Sequence, residues 1–345
     1  MAYQPQFAIT PHLLSLVETI ATLRERIQGA AVELSWIPAL QKDTRTRNVH
    51  ASTAIEGNPL TLEQVRALEQ GLELDASDTR SSREVLNYFA GLRFVEKHAK
   101  KKEIRHEDIF KLHRLLADTV MDQGNAGAYR TISVRVGKHS PPAARDVSGL
   151  MFELLEWWNK KSTALSPVLS SAILHYRFED IHPFADGNGR TGRALALWEL
   201  YRRGFDSHHI FSVDEYYWED RPAYYAALSA VHNADEDLSG WLEYCAEGIR
   251  HTLDQVWMRV QSFNLQSHTK LVLRPNQERL LKLLRDHGSM TPAALWKALS
   301  ISRQGAMNLL RPLLEAGVVE KVGGKKTGSY SLKQSQVGGG RSKGA

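Results

Sequence analysis

The sequence is short of cysteine, of long apolar runs and of strand-like alternation. One cysteine, Cys245, stands among 345 residues, which excludes an internal disulfide framework. No apolar run approaches the ~18 residues needed to span a bilayer, so no membrane partner is expected. MAYQPQFAIT lacks the basic start and apolar core of a secretory leader, and the expected compartment is the cytoplasm. Acidic charge is scarce at one end: residues 276–345 carry 12 Lys and Arg against 4 Asp and Glu, and the remainder carries 32 against 35. The net charge of +5 is therefore a C-terminal property, which bears on partners rather than on fold. What remains is ordinary for a folded protein: 42% hydrophobic and 24% charged residues, in a chain long enough for two or three domains.

The chemistry is concentrated in residues 182–193. His182, Pro183, Phe184, Ala185, Asp186, Gly187, Asn188, Gly189, Arg190, Thr191, Gly192 and Arg193 put a base, an acid, a glycine turn and two guanidiniums within one dozen positions. ALALWELYRR follows with good helix formers, while Pro183 and Gly187 resist helix. A loop thus feeds a helix whose first turn starts near Gly187 to Gly189. Free N–H groups there, with the helix dipole, favour a phosphate-sized anion, and glycine lets it approach the backbone. Arg190 and Arg193, three apart, share a helix face and can reach one polyphosphate. Asp186 is placed to hold a divalent metal, and His182 to take a proton from an attacking hydroxyl. The same glycines spell G-x-G-x-x-G, but FEDIHPFAD is not the β-branched strand a dinucleotide fingerprint requires.

This stretch resembles the signature of the Fic family, HxFx[D/E]GNGRxxR, at every specified position. The resemblance implies transfer of AMP from ATP to a Ser, Thr or Tyr hydroxyl of a protein. It implies His182 as general base, Asp186 on Mg2+, Gly187, Asn188 and Gly189 as an anion hole, and Arg190 and Arg193 on the β- and γ-phosphates. Phe184 would anchor the loop.

A second stretch, Ser52 to Asn58, ends a helix expected over residues 45–56. Glu56 lies in its last turn, where the dipole disfavours an acid by about 0.3–1 kcal/mol and a compensating partner is expected. STAIEGN resembles the inhibitory motif [S/T]xxxE[G/N] of Fic proteins that carry their own inhibitor. By that resemblance Glu56 pairs with Arg193 in the place of the γ-phosphate, and Ser52 faces the same site.

In chain order, Thr10 and Pro11 open a helix with apolar spacing to Leu34, and Thr61 caps a third. Helices follow at residues 82–100 and 106–119, the latter with Ile109, Phe110, Leu112, Leu115 and Leu116 inward. Thr131 to Val136 alternates as a strand and Gly137 to Pro142 turns it. In Fic proteins a flap hairpin stands here, which makes Val136, Gly137, Lys138 and His139 neighbours of ATP. Helices at residues 147–158 and 166–177, the second with Ser166 as cap, lead to His182. The tyrosines of DEYYWEDRPAYYAALSAV read first as packing; the family resemblance carries Tyr224 and Tyr225 to the adenine side. A helix over residues 239–263 closes the core.

From Asn276, three short helices and a two-stranded ribbon resemble a winged helix-turn-helix whose third helix carries Arg303, Gln304 and Asn308, side chains suited to base edges or phosphates. Such modules also dimerise or dock proteins, so DNA, a protein and a second copy of the chain all remain open as its partner. VGGGRSKGA reads as a disordered basic tail.

The fold expected is mainly α: a Fic-type helical bundle with a β-hairpin flap and a C-terminal winged helix-turn-helix. Its divisions are 1–100 with the inhibitory helix, 101–245 as catalytic core, 246–275 as connecting helix, 276–333 as winged helix and 334–345 as tail. The expected activity is a protein adenylyltransferase using ATP and Mg2+, autoinhibited by Glu56, with a hydroxyl-bearing protein or the chain itself as acceptor. Fic-like transfer of another phosphate group and a nucleotide-sensing DNA-binding regulator are the alternatives.

Overall fold

The computed structural model describes residues 2–29, 37–74, 79–137, 139–206, 208–264, 275–315, 318–322 and 328–332, and helix dominates them. The chain divides into two compact units, Met1–Ala31 with Leu40–Met258, and Val32–Ala39 with Arg259–Ala345. In order, the longer helices up to the second unit are α1 (Pro11–Gly29), α2 (Ile37–Ile55), α3 (Leu62–Glu69), α4 (Thr79–Lys97), α5 (His106–Ala117), α6 (Val147–Lys160), α7 (Pro167–Ile181), α8 (Asn188–Arg202), α9 (Asp214–Glu219), α10 (Arg221–Asn233) and α11 (Ser239–Asn264).

The core of the first unit is the hairpin of α7 and α8, with α6 packed on α7 and α4 packed on both α5 and α8. Ile173, Phe178 and Ile181 of α7 and Ala194, Leu195 and Trp198 of α8 are all fully buried. A helix that is apolar on every side belongs inside, and these two have no solvent face to spare. Glu199, toward the C-terminal end of α8, is a buried acid whose carboxylate is satisfied. It accepts from Trp158 Nε1 at 2.6 Å and Ser170 Oγ at 2.7 Å and pairs with Arg202 and Arg203 at 2.9 and 3.3 Å. A carboxylate this deep survives only because every lone pair has a donor.

Local signals place most elements. Thr61 accepts from Gln64 N–H while Gln64 Oε1 accepts from Thr61 N–H, a capping box that starts α3. Ile109, Leu112 and Leu116 form the buried face of α5, with Phe110 and Leu115 half-buried beside them. Two expectations need correcting. Residues 131–136 are not a strand: a single bridge joins Val136 to His139, because no neighbouring segment supplies a ladder and the Ile132 carbonyl accepts from an Arg130 side chain instead. Ser166 precedes α7 without a side-chain capping bond, so Pro167 alone marks that start.

The second unit carries α12 (Pro275–His287), β1 (Ser289–Met290), α13 (Pro292–Leu299), α14 (Arg303–Glu315), β2 (Val319–Val322) and β3 (Ser329–Leu332). Its antiparallel sheet has the order β1-β3-β2, with Tyr330 opposite both Met290 and Lys321. Leu280, Leu284, Leu295, Leu310, Leu313 and Tyr330 make its core. Thr291 accepts from Ala294 N–H and Ser302 from Gly305 N–H, which start α13 and α14. The ribbon is present, and β1 adds a strand that periodicity could not register in two residues. The tail and Lys138 lie outside the described residues. Among the described residues no helix is long and apolar enough to cross a membrane.

Candidate active site

The turn between α7 and α8 carries the site, and it begins with strain. His182 closes α7 in the left-handed region, with φ 48° and ψ 61°, a conformation that costs a non-glycine residue roughly 1–2 kcal/mol. Arg130, 4% exposed, holds it there. Its Nε donates to His182 O at 2.8 Å, Nη1 to Ile132 O at 3.0 Å, and Nη2 to Pro142 O at 2.5 Å and Ile181 O at 3.4 Å. Arg130 N–H donates to Pro183 O at 2.9 Å. Phe184 is fully buried, its ring stacked on His113 at 3.6 Å and 4°. Asn188 brackets it: Oδ1 accepts from Phe184 N–H and Nδ2 donates to Phe184 O, both at 2.9 Å.

His113 sets the next carbonyl. Its Nδ1 accepts from Gly127 N–H at 2.8 Å, so Nε2 carries the proton and donates to Asp186 O at 2.9 Å. Burial pushes this imidazole down to about 4, which keeps it neutral. Gly187, at φ 78°, then turns the chain into α8.

The first bond of α8 runs from Thr191 N–H to Gly187 O at 3.1 Å, so the N–H groups of Asn188, Gly189 and Arg190 precede the ladder and face an anion position. Arg190 is buried, yet its Nε and Nη1 have no hydrogen-bond partner, while Nη2 stands 3.7 Å from Asp186 Oδ1. Buried guanidinium donors without acceptors fit phosphate oxygens. Asp186 Oδ1 accepts from Gly187 N–H at 2.5 Å, and its side chain is 35% exposed. A hard carboxylate oxygen at the mouth of such a cradle fits Mg2+.

His182 Nδ1 lies 3.3 Å from Glu179 O and acts as the donor, which leaves the lone pair on Nε2. Burial lowers this imidazole to about 4, and the same burial pushes the Glu179 carboxyl up to about 8. Glu179 is therefore protonated at neutral pH. Its Oε2 is 3.8 Å from His182 Nδ1, and its Oε1 fills the space that a Cβ on Gly192 would need.

Arg193, 2% exposed, is engaged on every side. Its Nε donates to Ser52 Oγ at 2.7 Å and lies 3.8 Å from Asp214 Oδ2. Its Nη2 donates to Ser52 O at 2.9 Å and Glu56 Oε1 at 2.8 Å. Burial opposes both charges, but each is held by the other: Arg193 stays far above its ordinary value and Glu56 below the carboxylate range. The Glu56 carboxylate lies where a Cβ on Gly189 would stand, over the first turn of α8. It thus occupies an anion's place. Gly57, at φ 94°, turns the chain out of α2 directly after Glu56.

The other candidates are dispersed. Val136 is exposed and Gly137 turns at φ 57°. His139 has its Nε2 3.3 Å from Asp180 O and its ring stacked on His232. Tyr224 is fully buried, with its hydroxyl 3.1 Å from His175 Nε2, whereas Tyr225 is partly exposed beneath the Arg221 guanidinium. His113, Arg130, Glu179 and Asp214 belong to the site's surroundings and escaped the sequence reading. Only His113 left a signal, since it shares the inward face of α5 with Ile109 and Leu116.

Residues 103–200 match the Fic/DOC family. The chain carries a domain of the Fic family. It is similar to protein adenylyltransferase fic-1 of Caenorhabditis briggsae, 36% identical over 60% of this chain and 40% of the relative. It is also similar to protein adenylyltransferase Fic of Drosophila virilis, 30% identical over 72% of this chain and 52% of the relative. The chain spans about half the length of these curated relatives. Among solved structures, a Fic family protein from Desulfovibrio desulfuricans G20 aligns over 96% of this chain and 99% of its own, with a TM-score of 0.67 at 29% identity. Fic-1 from C. elegans aligns over 73% of each chain, with a TM-score of 0.62 at 28% identity.

Proposed function

We propose that this chain is an ATP-dependent protein adenylyltransferase, held idle in its resting state by Glu56. The observation that carries the reading is the cradle itself: the open first turn of α8, the unpartnered Arg190 donors, and a carboxylate already seated on Arg193. The adenylyltransferase names of the relatives support the AMP group as the part transferred.

In this reading the N–H groups from Asn188 to Arg190 and the Arg190 guanidinium bind the polyphosphate and orient its α-phosphorus. A Ser, Thr or Tyr hydroxyl of the acceptor approaches, and His182 Nε2 takes its proton. The hydroxyl oxygen bonds to the α-phosphorus as the bond to pyrophosphate breaks, and pyrophosphate leaves with that electron pair. Asp186 would hold Mg2+, which when bound neutralises charge on the leaving phosphates. Val136 and Gly137 border ATP, and Tyr225 offers its partly exposed ring to the adenine side. The acceptor is another protein or the chain itself. Incubation with ATP labelled in its α- or its γ-phosphate tests the reading: label from the α position alone on protein supports AMP transfer, and label from the γ position alone refutes it.

The second unit supports a nucleic-acid partner through its exposed Arg303, Gln304 and Asn308 on α14. A second copy of the chain is the competing partner there.

A further inference from the structure

Beside the cradle, the loop after Arg130, α7 and α10 bring together two imidazoles and a carboxylate with no part in the reading above. His139, Asp180 and His232 each offer a ligand atom, all within 4.8 Å of one another. His139 Nε2 is 3.5 Å from Asp180 Oδ1. Ligands bound at ~2.0–2.1 Å in a tetrahedral zinc sphere stand roughly 3.4 Å apart, so this pair already has the required spacing. The two imidazole rings lie 4.2 Å apart at 11°, and His139 sits in a loop closed on itself by the bridge from Val136 to His139.

The surroundings are also those of a ligand set. Asp180 gives its Oδ2 to Arg177 Nη1 at 2.5 Å, which orients the carboxylate and leaves Oδ1 toward His139. His232 Nδ1 is 2.9 Å from Glu236 Oε1 and 3.2 Å from the Tyr176 hydroxyl. A carboxylate on one ring nitrogen fixes the proton there and puts the lone pair on the other, the support that metal-bound imidazoles characteristically have.

We propose that His139, Asp180 and His232 form a binding site for a divalent metal of the zinc class, which pins His139 to α7 and α10. Two imidazoles and one carboxylate select zinc over calcium or magnesium, and three protein ligands leave a fourth position for water. Asp180 stands two residues before His182, so a metal here fixes the loop on the approach to that side chain. The site does not depend on the AMP-transfer reading.

The test uses the full chain without a histidine tag. After incubation with Zn2+ and dialysis, metal per chain is measured for the wild type and for His139→Ala, His232→Ala and Asp180→Asn. The wild type should retain one zinc more than each variant, which discounts the remaining histidines. Glu236→Gln should bind with roughly 10- to 100-fold lower affinity. Zn2+ should also slow tryptic cleavage after Arg135 in the wild type and leave His232→Ala unaffected. Equal zinc in wild type and folded variants, judged by matching circular dichroism, overturns the site. So does the same Zn2+ effect on Arg135 cleavage in both proteins.

Discussion

Replacing Glu56 by glycine isolates a single contact. The carboxylate reaches Arg193 at 2.8 Å, while Ser52 Oγ, Ser52 O and Asp214 continue to hold the guanidinium without it. The fold should therefore persist, and the change should act on the site. A hydrogen bond between charged groups contributes about 1.5–3 kcal/mol, and each 1.4 kcal/mol is tenfold. A γ-phosphate that must displace Glu56 therefore binds Arg193 roughly 10- to 150-fold less well than one that finds it free. The Glu56 side chain keeps 33% exposure, so solvent screening favours the lower end, about tenfold. The assay follows α-phosphate label on protein for wild type, Glu56→Gly, Arg193→Ala and the double variant under one ATP and Mg2+ condition. Glu56→Gly should exceed wild type by about tenfold, and the double variant should match Arg193→Ala. Both gain and loss of label must be followed, because a carboxylate at this position could also place water for removal of AMP. Equal gain and equal loss in wild type and Glu56→Gly would refute the inhibitory contact.

Other outcomes follow from the same geometry. His182→Ala should lower transfer by roughly 10²- to 10⁴-fold while ATP binding, measured by calorimetry, persists through the α8 cradle. Burial holds His182 at about 4, so with the proton-free ring as the proposed base kcat/KM should rise with pH through about 4 and be flat toward 7. An inflection near the ordinary histidine value of about 6.5 would contradict that burial. Asp186→Ala should raise the Mg2+ needed for half-maximal transfer, and an unaltered Mg2+ titration would remove Asp186 as the ligand. DNA binding by the second unit should weaken steeply with salt and fall on Arg303→Ala; no band shift of any genomic fragment at low salt points to the second-copy role.

The twelve residues from His182 to Arg193 were legible because they are consecutive, and their side-chain types already define an anion site. That Glu56 needs a partner was legible because an acid at a helix C-terminus is unfavourable until a cation offsets it; that the cation is Arg193 followed only from the family resemblance. What escaped were solitary residues delivered by remote elements. Arg130 follows an unremarkable glycine turn, and Glu179 sits in α7 with nothing to announce a protonated carboxyl. The alternation of residues 131–136 misled because alternation gives a segment two faces but no partner, and a strand needs both. The contacts of His139 to Asp180 and His232 are delivered by α7 and α10 and left no mark in the sequence around residue 139.

Arg130 has one more consequence. Its side chain binds the carbonyls of Ile132 and Pro142 at the two ends of one loop, together with those of Ile181 and His182. The segment between is thus a closed ring whose mouth is riveted shut. Movement within it need not reach His182, and lengthening it costs little, about 0.6 kcal/mol for each doubling of a flexible loop. The ring is a place where new acceptor preferences can be inserted and tried while His182, whose own carbonyl Arg130 holds, stays where it is.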